Sequence, residues 1–142
     1  KDNIGKKIDK RARKFLRENK LDYAHGTGHG VGFFLNVHEG PQSINKINKV
    51  KIKQGMILSN EPGYYEKNHF GIRIENLVYV DKKNGKLFFK NLTMAPIEKD
   101  LINFNLLTIA EKNYLFKYHL DVYSKISKYL NPNEKKWLAS HI

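Results

Sequence analysis

Apolar residues recur at helical spacing near the start of the chain: Ile8, Ala12, Phe15 and Leu16, with basic residues between them. The period predicts an amphipathic helix over about residues 6–19, with no obvious cap where it begins. Residues 29–38 and 50–60 are rich in Val, Ile, Phe and Leu and read as extended. Residues 70–80, FGIRIENLVYV, alternate and predict the clearest strand, with Ile72 and Ile74 turned to the core and Arg73 and Glu75 to the opposite face. KKNGK at 82–86 is a hairpin turn, because Asn-Gly tolerates the positive φ of a tight turn, and LFFKNLTM returns as the partner strand. Thr108 to Glu111 is a capping box, in which each end satisfies a free backbone donor of the other. It opens a helix with Leu115, Val122, Ile126 and Leu130 inward, stopped near Asn131-Pro132. Asn131 as cap and Pro132 at the first position then start a short last helix. Helix, antiparallel strands, then helices is the order of an α+β unit.

Composition changes this picture little. The chain has 142 residues, 40% of them hydrophobic, which is one domain's length with enough apolar content for a core. It has no cysteine, so disulfides and thiolate metal ligands are excluded, in keeping with a reducing compartment. No apolar run is long enough for a transmembrane helix. The first residues lack an apolar signal core; few acids and many Lys and Arg leave an organellar transit segment as the alternative to a plain helix. The net charge of +12 is peripheral: residues 1–20 hold nine Lys/Arg against three Asp/Glu, and residues 21–80 six against five. Lys and Arg are not interleaved with aromatics on one surface, so solvated basic faces account for the charge better than a nucleic-acid groove.

The candidate chemistry lies in the nearly neutral middle. Residues 25–40 read HGTGHGVGFFLNVHEG. A phosphate loop would carry Gly-Lys-Ser/Thr and open a helix, and neither occurs here. His25 and His29 are four apart, as in a zincin helix, but the glycines between them oppose a helix and the catalytic Glu is absent. In an extended segment His25, Thr27 and His29 share one face. His38 lies nine residues past His29, so one site holding both requires a bend, which Gly30 and Gly32 allow; a structural role for His38 stays equally open. Glu61 precedes Pro62 and is therefore extended, and Pro62-Gly63 fits a type II turn at the strand end. Arg73 and Glu75, between apolar neighbours, line an interior cavity more readily than a surface. One His nitrogen and two carboxylates suit Zn, Mn, Co or Fe and can activate water for hydrolysis.

HGTGHGVGFFLNVHEGP, GMILSNEPGYYE and FGIRIENLVYV, in this order, closely resemble consecutive motifs of the pita-bread metallopeptidases (methionine aminopeptidase, prolidase, aminopeptidase P). They are most similar to the cytosolic, eukaryotic-type aminopeptidase P, and LLTIAEKNYLFKYH resembles the tail of that branch. The resemblance runs from about residue 5 onward. It implies the C-terminal half of a pita-bread (creatinase/methionine aminopeptidase-like) fold, an antiparallel sheet with flanking helices. It implies an Xaa-Pro aminopeptidase that releases the N-terminal residue from peptides with proline second, using two divalent ions bridged by a hydroxide. The metal is usually manganese, with zinc and cobalt as alternatives. By resemblance, His29, Glu61 and Glu75 are metal ligands, with Glu75 bridging. Glu61 also shuttles the proton to the leaving amine, and His38 binds substrate and stabilises the oxyanion. His25 lines the substrate pocket, and Arg73 stands beside the substrate and holds a carboxylate in position.

The resemblance also implies two aspartate ligands and a further substrate histidine upstream, and Asp2, Asp9 and Asp22 do not form that pair. The expectation is therefore that residues 1–142 are the C-terminal portion of a catalytic domain, with about 100–142 as a helical extension. The rest of the enzyme would lie elsewhere. Alone, such a chain should expose a sheet edge and an apolar face, bind metal weakly and fail to hydrolyse Xaa-Pro peptides. The expected partners are the peptide, the remainder of the same enzyme and a second copy in a homodimer, without nucleic acid or membrane. The expected location is cytoplasmic, with an organelle or digestive compartment as alternatives. A prolidase-type dipeptidase and a non-catalytic pita-bread binding module are the competing functions.

Overall fold

The computed structural model describes residues 3–142, so Asp2 lies outside the described residues. The chain forms two compact units, one running to Thr93 and one from Met94 to Ile142. Among the described residues no helix is long and apolar enough to cross a membrane.

The first unit starts with helices α1 (Gly5–Ala12) and α2 (Lys14–Glu18). Strands β1 (Gly28–His29), β2 (Ser43–Ile44), β3 (Ile57–Asn60), β4 (Gly63–Glu66), β5 (Phe70–Arg73), β6 (Asn76–Lys83) and β7 (Lys86–Asn91) follow. They pair antiparallel as β1-β2, β3-β6-β7 and β4-β5, and a bridge from Gly30 to Leu58 ties the end of β1 to β3. This is the expected α+β layout. Ile44, Ile52, Leu58, Val78 and Val80 form the core, with Ile8, Met56 and Leu87 packed against it. The Asn84-Gly85 turn between β6 and β7 has both residues at positive φ (49° and 75°), as the sequence requires.

Five local expectations need correction. The first helix, expected as one piece, is interrupted at Arg13, and its buried face carries Asp9 and Arg13 whereas Phe15 is exposed. Arg13 is buried because its donors are taken by Asp9, Asp22 and two carbonyls, a set that apolar periodicity does not register. Residues 29–38 are extended only at His29. The chain then turns back on itself, with Gly32 N–H donating to the Asn36 carbonyl and Glu39 N–H to the Gly30 carbonyl. Within 50–60 only Ile57–Asn60 is a strand, because Gly55 adopts φ 86° in the turn before it. The 70–80 run is two strands: β5 pairs with β4 and β6 with β3, so the backbone changes partner at Ile74-Glu75 and leaves Ile72 and Ile74 exposed.

Pro62-Gly63 is not a type II turn, since Gly63 has no positive φ. Gly63 instead opens β4 opposite Arg73, and a Cβ there would lie 2.6 Å from the Tyr65 hydroxyl. The residue is small for close approach.

In the second unit a 3-10 turn (Phe104–Leu106) leads to α3 (Ile109–Ile126), a second 3-10 turn (Ser127–Tyr129) and α4 (Pro132–Ser140). Both capping boxes form as read: Thr108 with Glu111, and Asn131 with Glu134. Tyr118, Val122 and Leu138 make the core, with Ile126 and Leu130 against it. His119 is buried and its Nε2 accepts the Ile97 N–H at 3.1 Å. Burial pushes the His119 pKa down, and a proton on Nε2 would consume the lone pair that Ile97 needs.

Candidate metal and substrate site

His29 ends β1, and Glu61 follows directly on β3. The strands are brought together by the Gly30–Leu58 bridge, and the Glu61 N–H donates to the Thr27 carbonyl at 2.8 Å. Gly28 makes the approach feasible: a Cβ there would sit 2.0 Å from the Ser59 carbonyl oxygen. Nε2 of His29 thus lies 3.4 Å from Oε1 of Glu61.

Hydrogen bonds define the protonation pattern. The Nδ1 of His29 is 2.9 Å from the Gly30 carbonyl, which can only accept, so Nδ1 carries a proton and Nε2 is the nitrogen turned toward Glu61. Ser59, two residues before Glu61 on the same face, accepts the His29 N–H at 2.9 Å and donates its hydroxyl to Glu61 Oε1 at 2.9 Å. Arg73 donates from its terminal guanidinium nitrogen to the other carboxylate oxygen at 3.3 Å. Glu61 is therefore buried, with both oxygens engaged.

A second chain of bonds reaches His25. Arg73 Nε–H donates to the Tyr65 hydroxyl at 2.7 Å, and Tyr65 donates in turn to His25 Nε2 at 2.7 Å, because His25 Nδ1 is spent on the Gly26 carbonyl. The bond to Tyr65 raises the Arg73 pKa and keeps it cationic. His38 is carried back by the loop after His29, its ring centroid 4.0 Å from that of His29. The bend expected at Gly30 and Gly32 is the one found. His38 is exposed, so it is free to meet a ligand.

Five of the six residues singled out in the sequence thus converge: His25, His29, His38, Glu61 and Arg73. Glu75 reaches this group through its charge, which contributes to raising the Arg73 pKa. It is exposed where the backbone leaves β4 for β3, and among the described residues no three His, Asp or Glu groups gather as a metal cage. The expectation that Arg73 and Glu75 line an interior cavity is corrected for the same reason, since both are exposed here. The residues missed by sequence reasoning are Ser59 and Tyr65. Strand alternation offered a signal for each: Ser59 lies two before Glu61, and Tyr65 is diagonal to Arg73 across the β4-β5 pair.

The donor set fits a metal. An imidazole nitrogen and a carboxylate oxygen face each other at 3.4 Å, and imidazole with carboxylate suits zinc, manganese or cobalt.

Residues 1–82 match Metallopeptidase family M24, and residues 85–142 match the C-terminal region of peptidase_M24. The chain is 47% identical over 144 residues to the Probable Xaa-Pro aminopeptidase P of Coprinopsis cinerea, covering 92% of the chain and 23% of that protein. The solved X-prolyl aminopeptidase of Caenorhabditis elegans, described as a cytosolic enzyme with a di-nuclear active site, superposes with a TM-score of 0.89. It is 38% identical, over 96% of this chain and 24% of its own. The prolidase of Pyrococcus furiosus superposes with a TM-score of 0.55 and 33% identity, over 63% of this chain and 25% of its own. The chain spans about a quarter of the length of the relatives it matches.

Proposed function

The chain belongs to metallopeptidase family M24 and has its pita-bread fold, and from that premise we propose that it is the C-terminal catalytic portion of an Xaa-Pro aminopeptidase. The observation that carries this reading is the facing of His29 and Glu61 at 3.4 Å, with the His38 ring tilted against that of His29, centroids 4.0 Å apart. In the proposal His29, Glu61 and Glu75 hold part of a two-metal site, completed by aspartates from outside this chain. When bound, the ions supply Lewis-acid activation of water. Glu61, its two oxygens fixed by Ser59 and Arg73, takes the proton from the attacking water and delivers it to the leaving amine. His38 stabilises the developing oxyanion, and His25, oriented through Tyr65, lines the substrate pocket. Manganese, a cytosolic location and a homodimer belong to the same reading.

A prolidase shares these ligands. Aminopeptidase is favoured because relatives that match over 92% and 97% of the chain are named Xaa-Pro aminopeptidases, whereas the prolidase match covers 63% of the chain. The test is to assay the complete protein against Xaa-Pro-Xaa peptides and Xaa-Pro dipeptides while measuring its metal content. Release of the first residue from the longer peptides, lost on chelation, with two ions per site, is expected. No metal, or cleavage of dipeptides alone, would overturn the proposal.

A further inference from the structure

Beneath the site lies a buried polar cluster that none of the roles above uses. Arg13 is fully buried at the junction of α1 and α2. Its Nε donates to both oxygens of Asp9 at 2.9 Å. One terminal nitrogen donates to Asp22 at 2.6 Å and to the Tyr23 carbonyl at 2.7 Å, and the other to the His25 carbonyl at 2.5 Å. The guanidinium also lies over the Tyr23 ring, 3.8 Å from its centroid. Asp9, itself buried, accepts the Thr27 hydroxyl at 2.7 Å, which leaves the Thr27 oxygen to accept from the Tyr23 hydroxyl at 2.5 Å.

Apart from the Arg13–Asp9 pair itself, every bond in this cluster involves residues 22–27, the segment that carries His25. A packing role alone would be served as well by an apolar side chain, since a buried ion pair is weak evidence for stability. What an apolar residue could not supply is the fork that grips the carbonyls of residues 23 and 25 together. Tyr65 holds the His25 ring from above, and Arg13 holds its backbone from below.

We propose that Arg13, anchored by Asp9, is a positioning residue that sets the place of the His25 imidazole in the substrate pocket. The inference rests on the aminopeptidase reading for its kinetic meaning, but not for its structural test.

The test is a double-mutant cycle in the complete enzyme, with Arg13→Lys and His25→Ala singly and together. Lys keeps the charge but cannot grip both carbonyls. Alone it should lower kcat/KM about tenfold (~1.4 kcal/mol). In the His25→Ala background the same change should cost less than about twofold, because the group it positions is gone. Equal losses in both backgrounds would show a merely structural role and overturn the proposal. If Arg13→Lys does not fold, Asp9→Asn, which leaves Arg13 in place but loosens its anchor, is run through the same cycle with the same criterion. Independently of turnover, the His25 ring resonance, assigned by its loss in His25→Ala, should shift in Arg13→Lys, or in Asp9→Asn if that variant is used. An unmoved resonance would overturn the proposal. If the wild-type protein hydrolyses no Xaa-Pro peptide, the aminopeptidase reading fails alone, and the resonance still decides the placement of His25.

Discussion

His29 Nε2 and Glu61 Oε1 face each other at 3.4 Å, and the Gly30 carbonyl has already fixed a histidine proton on the far nitrogen. In the proposed site these two groups hold a shared cation. In the complete enzyme, His29→Ala or Glu61→Gln should lower metal occupancy and cut kcat by roughly 10²–10⁴-fold. Metal analysis together with steady-state kinetics checks this; full metal content and unchanged kcat in both variants would sink the assignment.

Arg73 works through its neighbours, bonding Glu61 with one nitrogen and Tyr65 with another. Arg73→Lys keeps a cation but cannot hold both partners at their fixed angle. Metal affinity or kcat/KM should fall about 10–100-fold, as for other groups that orient metal ligands. A change below about twofold in both quantities would remove Arg73 from the site.

Gly28 is where two strands pass too closely for a side chain. A Cβ would meet the Ser59 carbonyl oxygen, a backbone atom that cannot rotate away. Gly28→Ala should destabilise the fold by roughly 1–3 kcal/mol and displace Ser59 from Glu61. Chemical denaturation reads the first effect and kinetics the second. Wild-type stability would mean that the strands have more freedom than this packing allows.

His119 makes stability depend on pH. Burial lowers its pKa in the folded state, while the unfolded chain retains the ordinary value of about 6.5. Below that value the unfolded state takes up a proton that the folded state refuses. The contribution is therefore complete above about pH 6.5 and is lost as the pH falls toward the folded pKa. The loss of Tm between about pH 7.5 and about pH 5.5 should be smaller in His119→Gln, which does not titrate. Identical pH slopes would show that His119 is not protonation-linked.

Much of the fold could be read along the chain because its signals are local. Asn84-Gly85, Thr108 to Glu111, and Asn131-Pro132 each fix a turn or a helix end through bonds within a few residues, and all three form as read. Readings failed where a distant partner decides. The break at Ile74-Glu75 arises because β5 and β6 pair with different strands, and the extended reading of 29–38 gave way to a loop closed by the Gly30 and Gly32 backbone bonds.

The sequence by itself brought forward His25, His29, His38, Glu61, Arg73 and Glu75 as candidates, and all but Glu75 are linked in space. It also determined the α+β class, through hydrophobic period and caps. The tertiary structure decided how those groups are held. Ser59 and Tyr65 enter only when strands pair, and Arg13, which reads as one more basic residue on a helix face, is buried by partners 4 to 12 positions away. Periodicity reports the apolar face an isolated element would bury; it does not report polar groups whose burial becomes favourable once a tertiary partner satisfies every donor.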